Sequence, residues 1–188
     1  MRTPILIISA LLLIASGCGH TLERDYVESE DTIENIKTVA VMPFENLTKF
    51  PDAGEIVSEL FTTELYQSTH FKILDRNQAK RVMREKKITP PQIIDRRFAQ
   101  KIGKILEVDG VFIGSVSEYW YRLEKKKRRQ AGEEPAVGVN ARLIDVESGE
   151  VVWASSHSRS SHDALTADRD HINRVAQIVV SNMVDSLD

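Results

Sequence analysis

The sequence predicts one α/β domain, a mixed sheet of about five strands with helices packed on its faces. Three observations predict it. Val39, Ala40, Val41 and Met42 form a continuous apolar run, which suits a strand buried on both faces. Segments of helical period follow, separated by a short strand. The second half then strings together Val111 to Tyr121, Ala136 to Val146 and Val151 to about His157, each strand-like. The last two are joined only by Glu147-Ser148-Gly149-Glu150, so they must form an antiparallel hairpin. βα units followed by a meander make a mixed sheet, with helices over at least one face.

In chain order, Lys37 to Phe44 is the first strand, and Pro43 is expected to end its pairing. A loop from Glu45 through Pro51 leads to Asp52, which can N-cap a helix through about Ser68. Ile56, Leu60, Phe61 and Leu65 give that helix its apolar face. Phe71 to Leu74 is a short strand, and Asn77 can cap a helix to about Lys87. Thr89-Pro90-Pro91 breaks the chain, and Asp95 caps a third helix to Leu106. A turn at Asp109-Gly110 enters the long strand. A final helix is expected from about Thr166 to Leu187, with Ile172, Val175, Ile178, Val179 and Met183 inward.

Residues 1–17 have a basic start, an apolar stretch from Pro4 to Ile14 and a small-residue end, the order of a secretory signal peptide. The stretch is shorter than the about 20 apolar residues of a spanning helix. The only cysteine, Cys18, follows Ser16-Gly17, where cleavage would make it the first residue. This resembles the lipobox of bacterial lipoproteins, which implies acylation of Cys18 and anchoring by lipid. Gly19 stands where inner-membrane retention usually requires aspartate, so the resemblance implies the outer membrane, with the domain facing the periplasm. Residues 18–35, rich in Glu and Asp, read as a tether or as an arm laid on a neighbouring subunit, and residues 36–188 as the domain.

Composition narrows the function. The formal net charge of −3 gives no general affinity for nucleic acid. With Cys18 acylated, the domain holds no thiol for a disulfide, a nucleophile or a zinc–thiolate site. The chain has no glycine loop for phosphates and no Gly-x-Ser-x-Gly. His157, His162 and His171 sit near Asp163, Asp168 and Asp170, but their spacing fits no metal site and reads as loop and helix cap. Glu45, Asp75, Asp109 and Asp145 lie at strand ends and read as turn formers. No catalytic residue, metal or cofactor beyond the covalent lipid is expected, and the protein is not expected to be an enzyme.

Thr38 to Asn46, Phe71 to Arg76, Leu106 to Val116 and Ala141 to Trp153 together resemble the CsgG-like group of envelope lipoproteins. That group includes the curli secretion channel and LpoB-type activators of peptidoglycan synthases. The resemblance implies this fold, ring-forming relatives and work by protein contact. A channel of the curli type would need membrane-crossing strands of about 9–11 alternating residues. The loop between the Tyr121 and Ala136 strands instead carries Lys125, Lys126, Lys127, Arg128 and Arg129 in a row, so this is a short member without membrane hairpins. That basic run, with Tyr119 and Tyr121 beside it, is the candidate partner-binding site. The expectation is an outer-membrane-anchored lipoprotein acting by protein–protein interaction in envelope assembly or secretion. An LpoB-like synthase activator is the alternative, and the resemblance leaves both a homo-oligomer and a monomer open.

Overall fold

The computed structural model describes residues 21–91, 94–123, 133–160 and 171–187. Seven strands and five helices follow one another as β1 (Thr21–Val27), α1 (Glu30–Asn35), β2 (Thr38–Val41), β3 (Glu45–Asn46), α2 (Ala53–Ser68), β4 (Lys72–Ile73), α3 (Arg76–Glu85), α4 (Arg96–Leu106), β5 (Gly110–Leu123), β6 (Glu133–Asp145), β7 (Val151–Ser160) and α5 (Ile172–Asp185). The sheet order is β1-β7-β6-β5-β2-β4, with β3 continuing beside β5. β5, β6, β7 and β1 are antiparallel neighbours, whereas β2 pairs in parallel with β4 and β5. The sheet is therefore mixed, as the order of βα units and meander requires.

Helices cover both faces. On one, α2 and α5 close over an aromatic cluster in which Phe61 meets Phe44, Phe112 and Trp153 at ring centroid distances of 5.4, 5.2 and 6.2 Å. On the other, α3 and α4 bury Ala79, Met83, Ala99 and Ile102 against Met42, Val111, Ile113 and Ile144. The run Val39 to Met42 feeds both cores, which explains its lack of alternation.

Several elements differ from the sequence expectation. The sheet has seven strands, β1 and β3 being the additions. Pro43 interrupts pairing but does not end it: the Met42 N–H donates to the Phe112 carbonyl, and beyond Phe44 the chain pairs again with Ser115 and Val116. Asp52 has φ 60° and makes no side-chain cap. Asp75, not Asn77, caps α3, accepting from the Asn77 and Gln78 N–H groups at 2.9 and 3.0 Å. Asp95 caps α4 as expected, accepting from Phe98 N–H at 2.7 Å. Residues 161–170, where the last helix was expected to begin, lie outside the described residues, and α5 is described from Ile172.

Asp109 ties the start of β2 to the start of β5. Its Oδ2 accepts from the N–H groups of Lys37 and Thr38 at 3.0 and 2.7 Å and from the Thr38 hydroxyl at 2.8 Å. Burial pushes its carboxyl up, but the Thr38 and Lys37 hydrogen bonds and the Lys37 charge outweigh it, leaving the group below the ordinary carboxylate range. The stabilisation is complete above the unfolded value near 4 and is lost as pH falls through the lower folded value. Asp109→Asn should flatten the acid side of a stability-versus-pH curve from urea unfolding below about pH 4. An acid limb unchanged by the substitution would refute this.

Candidate interaction surfaces

The segment expected as a tether or as an arm on a neighbouring subunit is, from Thr21 onward, folded onto the chain's own sheet. β1 lies antiparallel on the outer edge of β7, from Thr21 opposite Arg159 to Val27 opposite Trp153, and α1 follows. All seven residues of β1 are exposed, so its attachment rests on the backbone ladder and on side-chain links to α5 and β7. The Asp25 carboxylate meets His157 Nε2 at 2.9 Å and accepts from the Ser186 hydroxyl at 3.3 Å. Glu23 accepts from Asn182 Nδ2 at 3.0 Å. These acids face α5, while Leu22, Arg24 and Tyr26 alternate to the other face. There Leu22 is 55% and Tyr26 52% exposed.

His157, read from sequence as a loop histidine, is thus a buried strand residue holding β1. His162 and the neighbouring acids Asp163, Asp168 and Asp170 lie outside the described residues. His171 precedes α5 without a side-chain cap. Among the described residues, no group of three or more His, Cys, Asp or Glu could hold a metal ion. Of the strand-end acids expected as turn formers, Asp75 caps a helix and Asp145 accepts from Ser148 N–H at 2.8 Å in the β6–β7 turn, where Gly149 adopts φ 76°, whereas Asp109 joins two strands and Glu45 pairs within β3.

Of the candidate partner-binding residues, Lys125, Lys126, Lys127, Arg128 and Arg129 lie outside the described residues. Tyr121 is in β5. Tyr119, expected as an exposed aromatic, is 1% exposed, donates to Asn173 Oδ1 at 2.7 Å and packs against Phe50 with ring centroids 4.9 Å apart and planes tilted by 55°. A bulge between Val116 and Glu118 rotates the strand so that Tyr119 faces α5 and Trp120 faces out, 49% exposed. Strand alternation puts Tyr119 and Trp120 on opposite faces, and only the bulge decides which of the two is buried.

Two surfaces were missed. The first surrounds Trp120: Leu47, 58% exposed, and Phe50, 39% exposed, join it around an open cleft of about 680 Å³. Their loop is braced by Asn46, whose Nδ2 donates to the Phe50 carbonyl at 2.8 Å and whose Oδ1 accepts from Thr48 N–H at 2.9 Å. The second is the outward side of α3 and α4, where Lys80, Arg81, Arg84, Arg97, Lys101 and Lys104 are exposed. Between residues 72 and 104 the only acids are Asp75, Glu85 and Asp95, a bias visible in the sequence itself. A cleft of about 290 Å³ opens on this layer, with an apolar floor that includes Met42, Met83 and Ile88 and a rim of Arg76, Lys80 and Arg84. Opposed to this, residues 21–35 hold six acids, Glu23, Asp25, Glu28, Glu30, Asp31 and Glu34, against the single cation Arg24.

The geometry defines an α/β domain whose distinctive chemistry lies in its surfaces, and no described helix is long and apolar enough to cross a membrane. Residues 26–173 match the family described as the curli production assembly/transport component CsgG, and the chain belongs to that family. Its fold is similar to PelC of Paraburkholderia phytofirmans, solved as a dodecamer, at 21% identity and a TM-score of 0.62 over 89% of this chain and 97% of that one. Lipoprotein GNA1162 of Neisseria meningitidis is similar at 16% identity and a TM-score of 0.55, over 80% and 97%. The C-terminal domain of LpoB from Salmonella enterica is similar at 16% identity and a TM-score of 0.50, over 65% and 81%. No curated protein matches the sequence.

Proposed function

We propose that this is a lipoprotein acylated on Cys18, anchored in the outer membrane and facing the periplasm. Its domain self-associates head to tail and works by protein contact in envelope assembly or secretion. The observation that carries the reading is the pair of opposed surfaces on one sheet. The acidic β1–α1 segment holds one edge, and the basic α3–α4 layer lies over β2, β5 and β6. A two-fold pairing through either surface would set like charges together. Contact between the two different surfaces sets opposite charges together and closes into a ring where the rotation permits. The family match to an assembly and transport component and the dodecameric PelC neighbour support this reading.

Light scattering of residues 18–188 carrying Cys18→Ser tests it. A closed oligomer of one mass is expected across a concentration series, dissociating as salt rises. Lys80→Glu with Arg84→Glu should give monomers. Adding Glu30→Lys and Asp31→Lys should restore the oligomer. A monomer at every concentration would refute self-association and favour the alternative, an LpoB-like activator. Against that alternative stands the early start of β1. Only Gly19 and His20 separate Cys18 from Thr21, a reach of at most about 11 Å over the steps between them.

A further inference from the structure

We infer that Trp120, Phe50 and Leu47 form a membrane-contact patch that rests in the headgroup region of the bilayer in which the chain is anchored. The inference rests on lipid attachment at Cys18 and goes beyond it by assigning the end of the domain that meets the membrane. The strand register supplies the geometry. Thr21 lies opposite Arg159, Arg159 opposite Val137, and Val137 opposite Tyr119, the residue before Trp120. The point where the chain leaves the fold toward Cys18 is therefore level with the patch, three strand spacings or about 14 Å across the sheet. With at most about 11 Å of chain between Cys18 and Thr21, an acylated chain holds this end of the sheet near the bilayer surface.

The patch chemistry suits that position. An exposed Trp and Phe beside Leu47, with Lys49 lining the same cleft, combine apolar bodies with polar and cationic groups, the mixture found at membrane–water interfaces. The Asn46 hydrogen bonds hold Leu47 and Phe50 outward, so no apolar group must be uncovered for contact. A bilayer is the one partner whose distance the chain itself limits.

The single cysteine allows a test that does not depend on natural acylation. Residues 18–188, which contain the whole described fold, would be coupled through the Cys18 thiol to a maleimide lipid. The vesicles would be phosphatidylethanolamine and phosphatidylglycerol with acyl chains brominated near the headgroup. Trp153, 0% exposed, is out of reach of the bromines, so any quenching reads Trp120. Loss of the Trp120 share of the emission is expected in the anchored protein and not in Trp120→Phe. Absence of quenching, or equal quenching in Trp120→Phe, overturns the inference. Loss of the oligomer in Leu47→Ser with Phe50→Ser, together with unquenched anchored protein, overturns it in favour of a contact between copies. The mass of the Cys18 peptide from membranes of producing cells tests acylation separately. An unmodified peptide there refutes the anchor reading whatever the vesicles show.

Discussion

Trp153→Ala is expected to destabilise the domain by about 3–5 kcal/mol. Trp153 is fully buried where β7 meets α2 and α5, and its ring lies 5.8 Å from Phe112 and 6.2 Å from Phe61. Truncation leaves a void flanked by aromatic rings that cannot collapse into it, because each is fixed by a different element. It also removes the Nε1 hydrogen bond to Ser186, 3.0 Å long, from a hydroxyl that in turn reaches Asp25. The loss therefore extends to the docking of β1. Urea unfolding followed by far-ultraviolet circular dichroism would measure it, and Trp153→Phe should recover most of it while forfeiting about 1 kcal/mol for the hydrogen bond. A loss under about 1 kcal/mol for the alanine variant would contradict this account of the core.

Gly54→Ala is expected to destabilise by about 2 kcal/mol, although alanine is the better helix former by about 1 kcal/mol. Gly54 lies in the first turn of α2, directly under the β2–β3 connection. A Cβ there would stand 2.1 Å from the Phe44 carbonyl oxygen and 3.3 Å from the Asn46 backbone nitrogen. Backbone cannot swing aside as a side-chain tip can, so α2 or the connection must shift. Either shift disturbs Phe44 against Phe61 and the Asn46 brace that presents Leu47 and Phe50. Thermal unfolding would show the sign: a rise in Tm would mean that the helix entry has slack which the close approach denies.

Much of this fold was legible from local pattern because its signals are local. The doubly buried run at Val39 to Met42, the helical period of residues 53–68, the Asp95 cap and the hairpin at Gly149 each declare themselves within a few residues. β1 does not. Its alternation of Leu22, Arg24 and Tyr26 with Glu23, Asp25 and Val27 gives neither face a uniform character. The partners of the inner acids, His157, Asn182 and Ser186, are distant in sequence. An acidic stretch without an apolar period reads as solvated chain until those partners are in place. β3 is two residues long and follows a proline, so only the neighbouring edge of β5 makes it a strand.

The interaction surfaces divide along the same line. The basic bias of residues 72–104 is a property of composition and could be read directly. The patch of Leu47, Phe50 and Trp120 could not, since a loop and a strand far apart in sequence meet only through the β3–β5 pairing. Nor could the burial of Tyr119, which follows from a one-residue bulge.

By itself the sequence determined the fold class, the family resemblance, the single cysteine behind an apolar stretch, the acidic segment 21–35 and the basic segment 72–104. These are carried by residue type and short-range period. Only the tertiary structure decided which surfaces share an end or an edge of the sheet. Register and strand order are set by contacts between distant segments, and a single inserted residue or one added edge strand reassigns the faces they expose.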